Sequence, residues 1–415
     1  MFMFEKAMTG SRRYWLWIGG LLAVIAIALH YYLRQLDYGL GLTGMSRDVT
    51  WGLYIGQFTF LVGVAASAVM VVLPYYLHDH KEFARMTIFG ECLAISAVIM
   101  CMLFIFVDMG QPMRVLYVML YPRPRSMMFW DMISLGGYLA LNVVITLVIL
   151  SAHRQDVAPP RWIKPVIIVS IPWAISIHTV TAFLYSGLPG RSFWLTAILA
   201  PRFLASAFAS GPALLVLLCF LIYKRTGYNV GEKAIQGVAM IVTYAMLFNL
   251  FFILMEFFTA FYSGIPALTE HFHNMYTGMP GGDSLLLFWG RTSIALTVLA
   301  MVLLLIPAVR RNRRRLAAAC AVTFLSLWID KGICLIVCGF MPSPLGAMTR
   351  YVPTLPEMAI TLGVWAAGAL MVTGFYKIVL AVEANREPLD PRAAGGHSRE
   401  SGNPRPHSLE GVLLP

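Results

Sequence analysis

Glu91, Asp108, His178, Arg202, Glu256, Asp330 and Lys331 are ionisable side chains set within long apolar runs of the sequence. Burying such a group in hydrocarbon is costly, so each is a functional candidate by default. Carboxylates and imidazoles exchange protons with a bound ligand, and an arginine orients or neutralises them. Counted along the runs, Glu91 lies near the membrane surface that also carries the N-terminus. Asp108, His178, Arg202 and Glu256 fall in the opposite half of the bilayer, with Asp330 and Lys331 near the middle of their run. Asp131, Arg291 and Glu357 begin runs on that opposite side. Charge gathered in one membrane half is what a proton-exchanging site near that surface predicts. Plainer readings stand beside it. Asp131, Arg291 and Glu357 also suit helix ends in the headgroup region, Asp108 with Arg202 also suits a structural ion pair, and His178 also suits a packed core histidine. Asp330 and Lys331 are sequence neighbours, which do not face each other on a helix, so each needs a partner elsewhere, in a buried salt-bridge network or a proton relay.

The runs that position these groups dominate the chain. Of 415 residues, 59% are hydrophobic and 12% are Asp, Glu, Lys or Arg, against roughly 45–50% and about 25% in an ordinary soluble protein. Mean hydropathy is +0.73. A soluble enzyme is excluded, and six cysteines are too few for a disulfide scaffold. The formal charge of +11 does not point to nucleic acid, because the basic residues sit in short loops between apolar runs. A helix of about 20 apolar residues crosses the hydrocarbon. Ten segments qualify, near 14–33, 49–77, 87–107, 128–151, 163–183, 199–223, 235–262, 285–309, 316–340 and 357–382. They are too long and too little alternating for barrel strands. The expected fold is all-α and polytopic, with Pro172, Pro201 and Pro212 placing kinks in or beside the fifth and sixth spans.

Sixteen Lys and Arg residues lie at the N-terminus and in the even-numbered loops, against seven in the odd-numbered loops. That asymmetry predicts two cytoplasmic termini in a bacterial inner membrane. Residues 1–13 then form a cytoplasmic N-terminus and 14–382 the transmembrane domain. Residues 383–415, rich in Pro, Gly, Ser, Arg and His, read as a disordered cytoplasmic tail. Ser11-Arg12-Arg13 imitates a twin-arginine signal, but the run behind it is long enough to span and nine more follow.

No Cys-x-x-Cys occurs, which argues against iron–sulfur ligation and covalent haem. Cys334 and Cys338 lie one turn apart without a second ligand pair, and only His30 and His178 fall within spans. The chain is expected to carry no haem or iron–sulfur cluster of its own. A lipid-soluble quinone fits better, since its head group needs proton donors or acceptors beside its carbonyls and its tail needs an apolar slot. Its electrons then require a redox partner docked on the outer loops. Glu91, Asn142, Asn249, Glu256 and Asp330 are the candidates for a proton route. The alternatives are a secondary transporter or other ion-translocating protein with buried acids, a hydrogenase-type membrane anchor, and a passive anchor with no catalytic role; a transporter's mark would be Gly/Pro-broken helices paired between two halves, and the prolines show no clear pairing.

Four ordered stretches carry a family resemblance. They are Gly41-Leu42-Thr43-Gly44-Met45 with Trp51-Gly52-Leu53-Tyr54-Ile55 and Phe60 to Ser67; Asp108-Met109-Gly110-Gln111-Pro112 with Tyr121-Pro122-Arg123-Pro124-Arg125-Ser126 and Trp130-Asp131; Ser176-Ile177-His178-Thr179-Val180 with Trp194 and Ala200-Pro201-Arg202-Phe203; and Pro342-Ser343-Pro344-Leu345-Gly346 with Tyr351-Val352-Pro353-Thr354 and Glu357. Together they resemble the NrfD/PsrC family of membrane quinone-interacting subunits, over about residues 14–382. Ten spans look like that family's larger branch, which includes the HybB and DsrP groups, and the run is most similar to the DsrP group of dissimilatory sulfur metabolism. The resemblance implies two four-helix bundles, spans two to five and six to nine, with one helix flanking at each end. It also implies a menaquinone or ubiquinone site near the periplasmic surface. The partners implied are a periplasmic ferredoxin-like iron–sulfur subunit and further membrane and cytochrome subunits, with lipid around them. Carried over residue by residue, the quinone contacts are Asp108, His178 and Arg202, with His30 and Tyr117 as looser matches, and Asp108 and His178 as the proton-exchanging pair.

Overall fold

The computed structural model describes residues 9–78 and 80–386. Every regular element among them is helical. Ten helices are long and apolar enough to cross a membrane: α1 (Arg12–Leu42), α2 (Leu53–Tyr76), α3 (Lys81–Asp108), α4 (Met127–Arg154), α5 (Ile163–Ser186), α6 (Leu199–Thr226), α7 (Glu232–Ser263), α8 (Ser284–Leu305), α9 (Arg313–Phe340) and α10 (Leu355–Ala384). Each expected run is one of them. The Ser-Arg-Arg stretch opens the first span, with Ser11 Oγ accepting from the Tyr14 amide at 3.3 Å as an N-cap. The last helix continues to Arg386. The rest of the expected tail, 387–415, and residues 1–8 lie outside the described residues.

Helices α2–α5 form one four-helix bundle and α6–α9 a second, while α1 and α10 pair with each other and lie against α3. The bundles meet through α2, which packs on α6 and α9, and through α5, which packs on α6. An even number of spans brings both ends of the described chain to one face, called here the terminal face. The loops joining α1 to α2, α3 to α4, and so on, form the opposite, odd face.

Helices in lipid approach closely where side chains are small. A Cβ on Gly211 of α6 would sit 2.8 Å from the Val64 carbonyl oxygen and the Ser67 amide, and α2 turns irregular there, over Ala66–Ala68. A Cβ on Gly56 of α2 would sit 2.1 Å from the Gly332 carbonyl oxygen of α9. Bulk at either position would separate the bundles. Next to the second contact, α9 widens into a π turn, Asp330–Cys334. Such turns insert a residue into the ladder and redirect the side chains around it.

Candidate functional site

The second bundle holds a buried ion cluster beside that π turn. Arg202 of α6 donates through Nη2 to both Asp330 oxygens, at 2.7 and 3.0 Å, and through Nη1 to Glu256 of α7. The π turn brings Lys331 Nζ to 4.0 Å from Asp330 Oδ2, a pairing that a regular helix denies to sequence neighbours. Lys331 Nζ also lies 4.5 Å from the centre of the Phe203 ring, and it has no hydrogen-bond partner. One arginine between two carboxylates offsets most of their burial cost, which is why the cluster persists in an apolar bundle.

Lys331 opens onto a cavity of about 10 Å³ between the bundles. Its walls come from the first and fourth helix of each bundle: Thr59 and Gly63 of α2, His178 of α5, Ser206 and Ser210 of α6, and Lys331 of α9. His178 is buried, and neither ring nitrogen has a partner. The space suits about one water molecule. It does not admit a quinone ring.

On the other side of the α2–α9 seam lies a groove of about 480 Å³, walled mainly by apolar side chains of α2, α8, α9 and α10. Three tryptophans line it, Trp289, Trp328 and Trp365. The indoles of Trp328 and Trp365 donate to Gln57 Oε1 at 2.7 and 3.0 Å, locking the amide so that Nε2 faces the Gly332 carbonyl oxygen at 3.4 Å. One amide hydrogen of Gln57 is left over by that arrangement. Thr361 also lines the groove, and its buried hydroxyl has no partner. Gln57 and Gly332 wall the groove, while Thr59 and Lys331, close by in sequence, wall the cavity.

The five residues expected to hold a quinone are not gathered in one place. His30 and Tyr117 are exposed, with Tyr117 in a short helix, Tyr117–Leu120, beyond the end of α3. Asp108 ends α3 with one oxygen unpartnered. His178 is sealed in the small cavity. Arg202 is taken by Glu256 and Asp330, so of the readings left open the Asp108–Arg202 ion pair is not the one formed: the competing acids come from α7 and the π turn, and only the folded chain brings them there. The proton-route candidates are split between bundles. Glu91 is buried with one oxygen unpartnered, and Asn142 donates to the Tyr138 carbonyl at 2.7 Å, both in the first bundle. Asn249, with neither amide atom paired, joins Glu256 and Asp330 in the second.

The charged residues at the helix ends are held by hydrogen bonds. Asp131 accepts from the Thr181 hydroxyl at 2.7 Å. Glu357 accepts from the Gly44 and Leu53 amides at 2.9 and 3.1 Å and from the Tyr351 hydroxyl, tying the α1–α2 loop to α10. Arg291 donates to the Tyr276 carbonyl at 2.9 Å. In the α7–α8 loop, His271 Nδ1 donates to the Cys338 and Met341 carbonyls at 2.9 and 2.8 Å, and its Nε2 lies 3.1 Å from Ser192 Oγ. Burial holds His271 below the usual histidine range, the two carbonyls partly opposing that. Gln57, Thr361 and the tryptophans were not singled out from the sequence. An uncharged side chain in an apolar run gives no signal until its neighbours are known.

Ten apolar helices, eight of them in two bundles, with a side groove and a buried ion cluster, define a multi-span membrane protein. The sequence profile described as "Polysulphide reductase, NrfD" matches residues 41–342, so the chain belongs to the NrfD family. Similar proteins include a putative membrane subunit of a dimethyl sulfoxide reductase from Halobacterium salinarum, 26% identical over 86% of this chain and 89% of the relative. The menaquinone reductase integral membrane subunit of Nitratidesulfovibrio vulgaris is 21% identical over 92% of this chain and 93% of its own length. The Hdr-like menaquinol oxidoreductase integral membrane subunit of Archaeoglobus fulgidus is 24% identical over 64% of this chain and 65% of its own.

Proposed function

We propose that this chain is the quinone-binding membrane subunit of a respiratory redox complex, with both termini in the cytoplasm of a bacterial inner membrane. The groove carries this reading. It combines an apolar trough for an isoprenoid tail with two unused donors, Thr361 Oγ1 and the second amide hydrogen of Gln57, for one carbonyl of a head group. The names of the Archaeoglobus and Nitratidesulfovibrio relatives favour menaquinone over ubiquinone. Electrons pass to or from a periplasmic ferredoxin-like iron–sulfur subunit on the odd face, within an assembly that includes other membrane and cytochrome subunits. Dissimilatory sulfur metabolism is the setting that the sequence resemblance favours, with a hydrogenase assembly as the other.

Quinone chemistry couples two electrons to two protons, and the residues behind the α2–α9 seam hold and pass the protons. His178 and Lys331 share the one-water cavity, and Asp330, Arg202 and Glu256 extend it into the second bundle. Asp108, at the odd end of α3, exchanges protons with that face. On the terminal face, Ile88 lines a pocket of about 510 Å³, and Glu91 follows one turn further along α3. That pocket supplies protons from the cytoplasm through Glu91.

The test is purification of the complex in mild detergent, followed by photolabelling with an azido-quinone. Extractable quinone, a co-eluting iron–sulfur protein and label on peptides of α2, α9 and α10 are expected. A complex that carries no quinone overturns the function. Label confined to α3–α5 overturns the placement.

A further inference from the structure

A second groove, of about 340 Å³, runs between α1, α6 and α10 near the terminal face. Its walls are largely apolar, with Trp17, Leu218, Leu221 and Val372 among them, and Trp17 and Leu221 are about half exposed on the outside of spanning helices. Three cations converge on it, Arg13, Arg225 and Lys377, and among the described residues no carboxylate lines it. Lys377 is the telling one. It is 2% exposed, its Nζ has no hydrogen-bond partner, and it stands 3.6 Å from the centre of the Tyr14 ring. A buried ammonium held only by a ring face lacks the anion that would compensate its burial.

We propose that this groove binds an anionic phospholipid, its phosphodiester between Lys377, Arg13 and Arg225 and one acyl chain along Trp17, Leu218 and Leu221. Charge complementarity selects an anion, since the three positive groups face no acid among the described residues. The apolar walls, open sideways to the bilayer, select an amphiphile over a soluble phosphate. Two arginines present planar forks to phosphate oxygens while the ammonium adds a compact charge from below. The lipid bridges the first helix, the last helix and the first helix of the second bundle, three segments distant in sequence.

The test uses the full-length protein in nanodiscs containing either phosphatidylglycerol or phosphatidylcholine with brominated acyl chains, which quench nearby tryptophan. Trp17→Phe identifies the part of the quenching that reports this groove. Quenching of Trp17 by brominated phosphatidylglycerol is expected to exceed that by brominated phosphatidylcholine. In competition, the preference should fall about 30-fold in Lys377→Met/Arg225→Gln, the scale for removing two cations from a lipid-facing site. Arg13→Gln/Arg225→Gln removes only exposed side chains and decides the matter if the Lys377 variant does not fold. Equal quenching by the two lipids in the wild type overturns the proposal, as does a preference that survives the loss of both arginines. Displacement of the lipid by millimolar inorganic phosphate would reassign the groove to a free anion.

Discussion

The two bundles carry opposite kinds of polar side chain on either side of the cavity between them. The second brings charges that largely answer one another: Arg202 between Glu256 and Asp330, with Lys331 alongside. The first brings His178, with both nitrogens unpartnered, while its acids stand apart, Asp131 with the Thr181 hydroxyl and Glu91 with an open oxygen. Compensated charge holds helices in place. An uncompensated group with a water-sized space beside it is where a proton can arrive and leave. On the proposed function, that difference separates charge that holds helices from groups that exchange protons.

The largest expected effect comes from breaking the compensated side. Arg202→Met leaves two carboxylates buried without their cation and should cost about 3–5 kcal/mol, the scale for removing one partner from a buried ion pair. Thermal unfolding in detergent measures it. Adding Glu256→Gln, which leaves Asp330 with Lys331, should recover most of the loss. A double variant no more stable than Arg202→Met would show that Arg202 acts through packing rather than charge.

His178→Phe probes the uncompensated side. It keeps a flat ring in the cavity and removes both nitrogens, so assembly and docking of the iron–sulfur partner should survive. Quinone-dependent turnover should fall by about 10²-fold or more, the usual scale for a positioned acid or base. An assembled variant that turns over at nearly the wild-type rate would return His178 to the role of a packed core residue.

Across the seam, Thr361→Val replaces an unpartnered hydroxyl with a methyl of similar size, so stability should hold or rise slightly. If the hydroxyl serves a head-group carbonyl, the KM for quinone should rise about fivefold, equivalent to about 1 kcal/mol for one hydrogen bond. An unchanged KM removes Thr361 from the site while leaving the groove to be judged by photolabelling.

The smallest effect lies outside both bundles, at His271. Burial keeps it neutral in the folded chain, so the native corner binds fewer protons than an unfolded histidine, whose pKa is about 6.5. Its contribution to stability is complete above that pH and is lost as pH falls through and below it. The protection factors of residues 266–277 against hydrogen exchange, taken relative to the intrinsic rate at each pH, should fall between pH 7.5 and pH 5. Equal protection at both values would mean that the Cys338 and Met341 carbonyls accommodate the charged ring.

Much of the fold was legible because hydrocarbon enforces it. A run such as 87–107 has no alternative to a helix in lipid, so length and composition located all ten spans. The candidate site was legible only in part. Glu256, Asp330 and Arg202 stand out as costly residues, yet nothing in the sequence says which acid answers Arg202. The π turn Asp330–Cys334 reorients Asp330 and Lys331 through one inserted residue, and no periodicity in the sequence marks it. Lys377 was overlooked because a lysine near a helix end ordinarily reaches the headgroup region, whereas α1 covers it with Tyr14.

By itself, the sequence determined that the chain spans a membrane about ten times, and which ionisable groups must be accommodated inside it. Those conclusions rest on transfer free energies, which are local sums over neighbouring residues. The tertiary structure decided which acid answers which base, which polar atoms remain unpartnered, and where a groove opens. Those depend on contacts between segments far apart in the chain, such as Gly56 on Gly332, Trp365 on Gln57 and Arg202 on Asp330. A contact of that kind is a property of two helices at once, and no single run of residues encodes it.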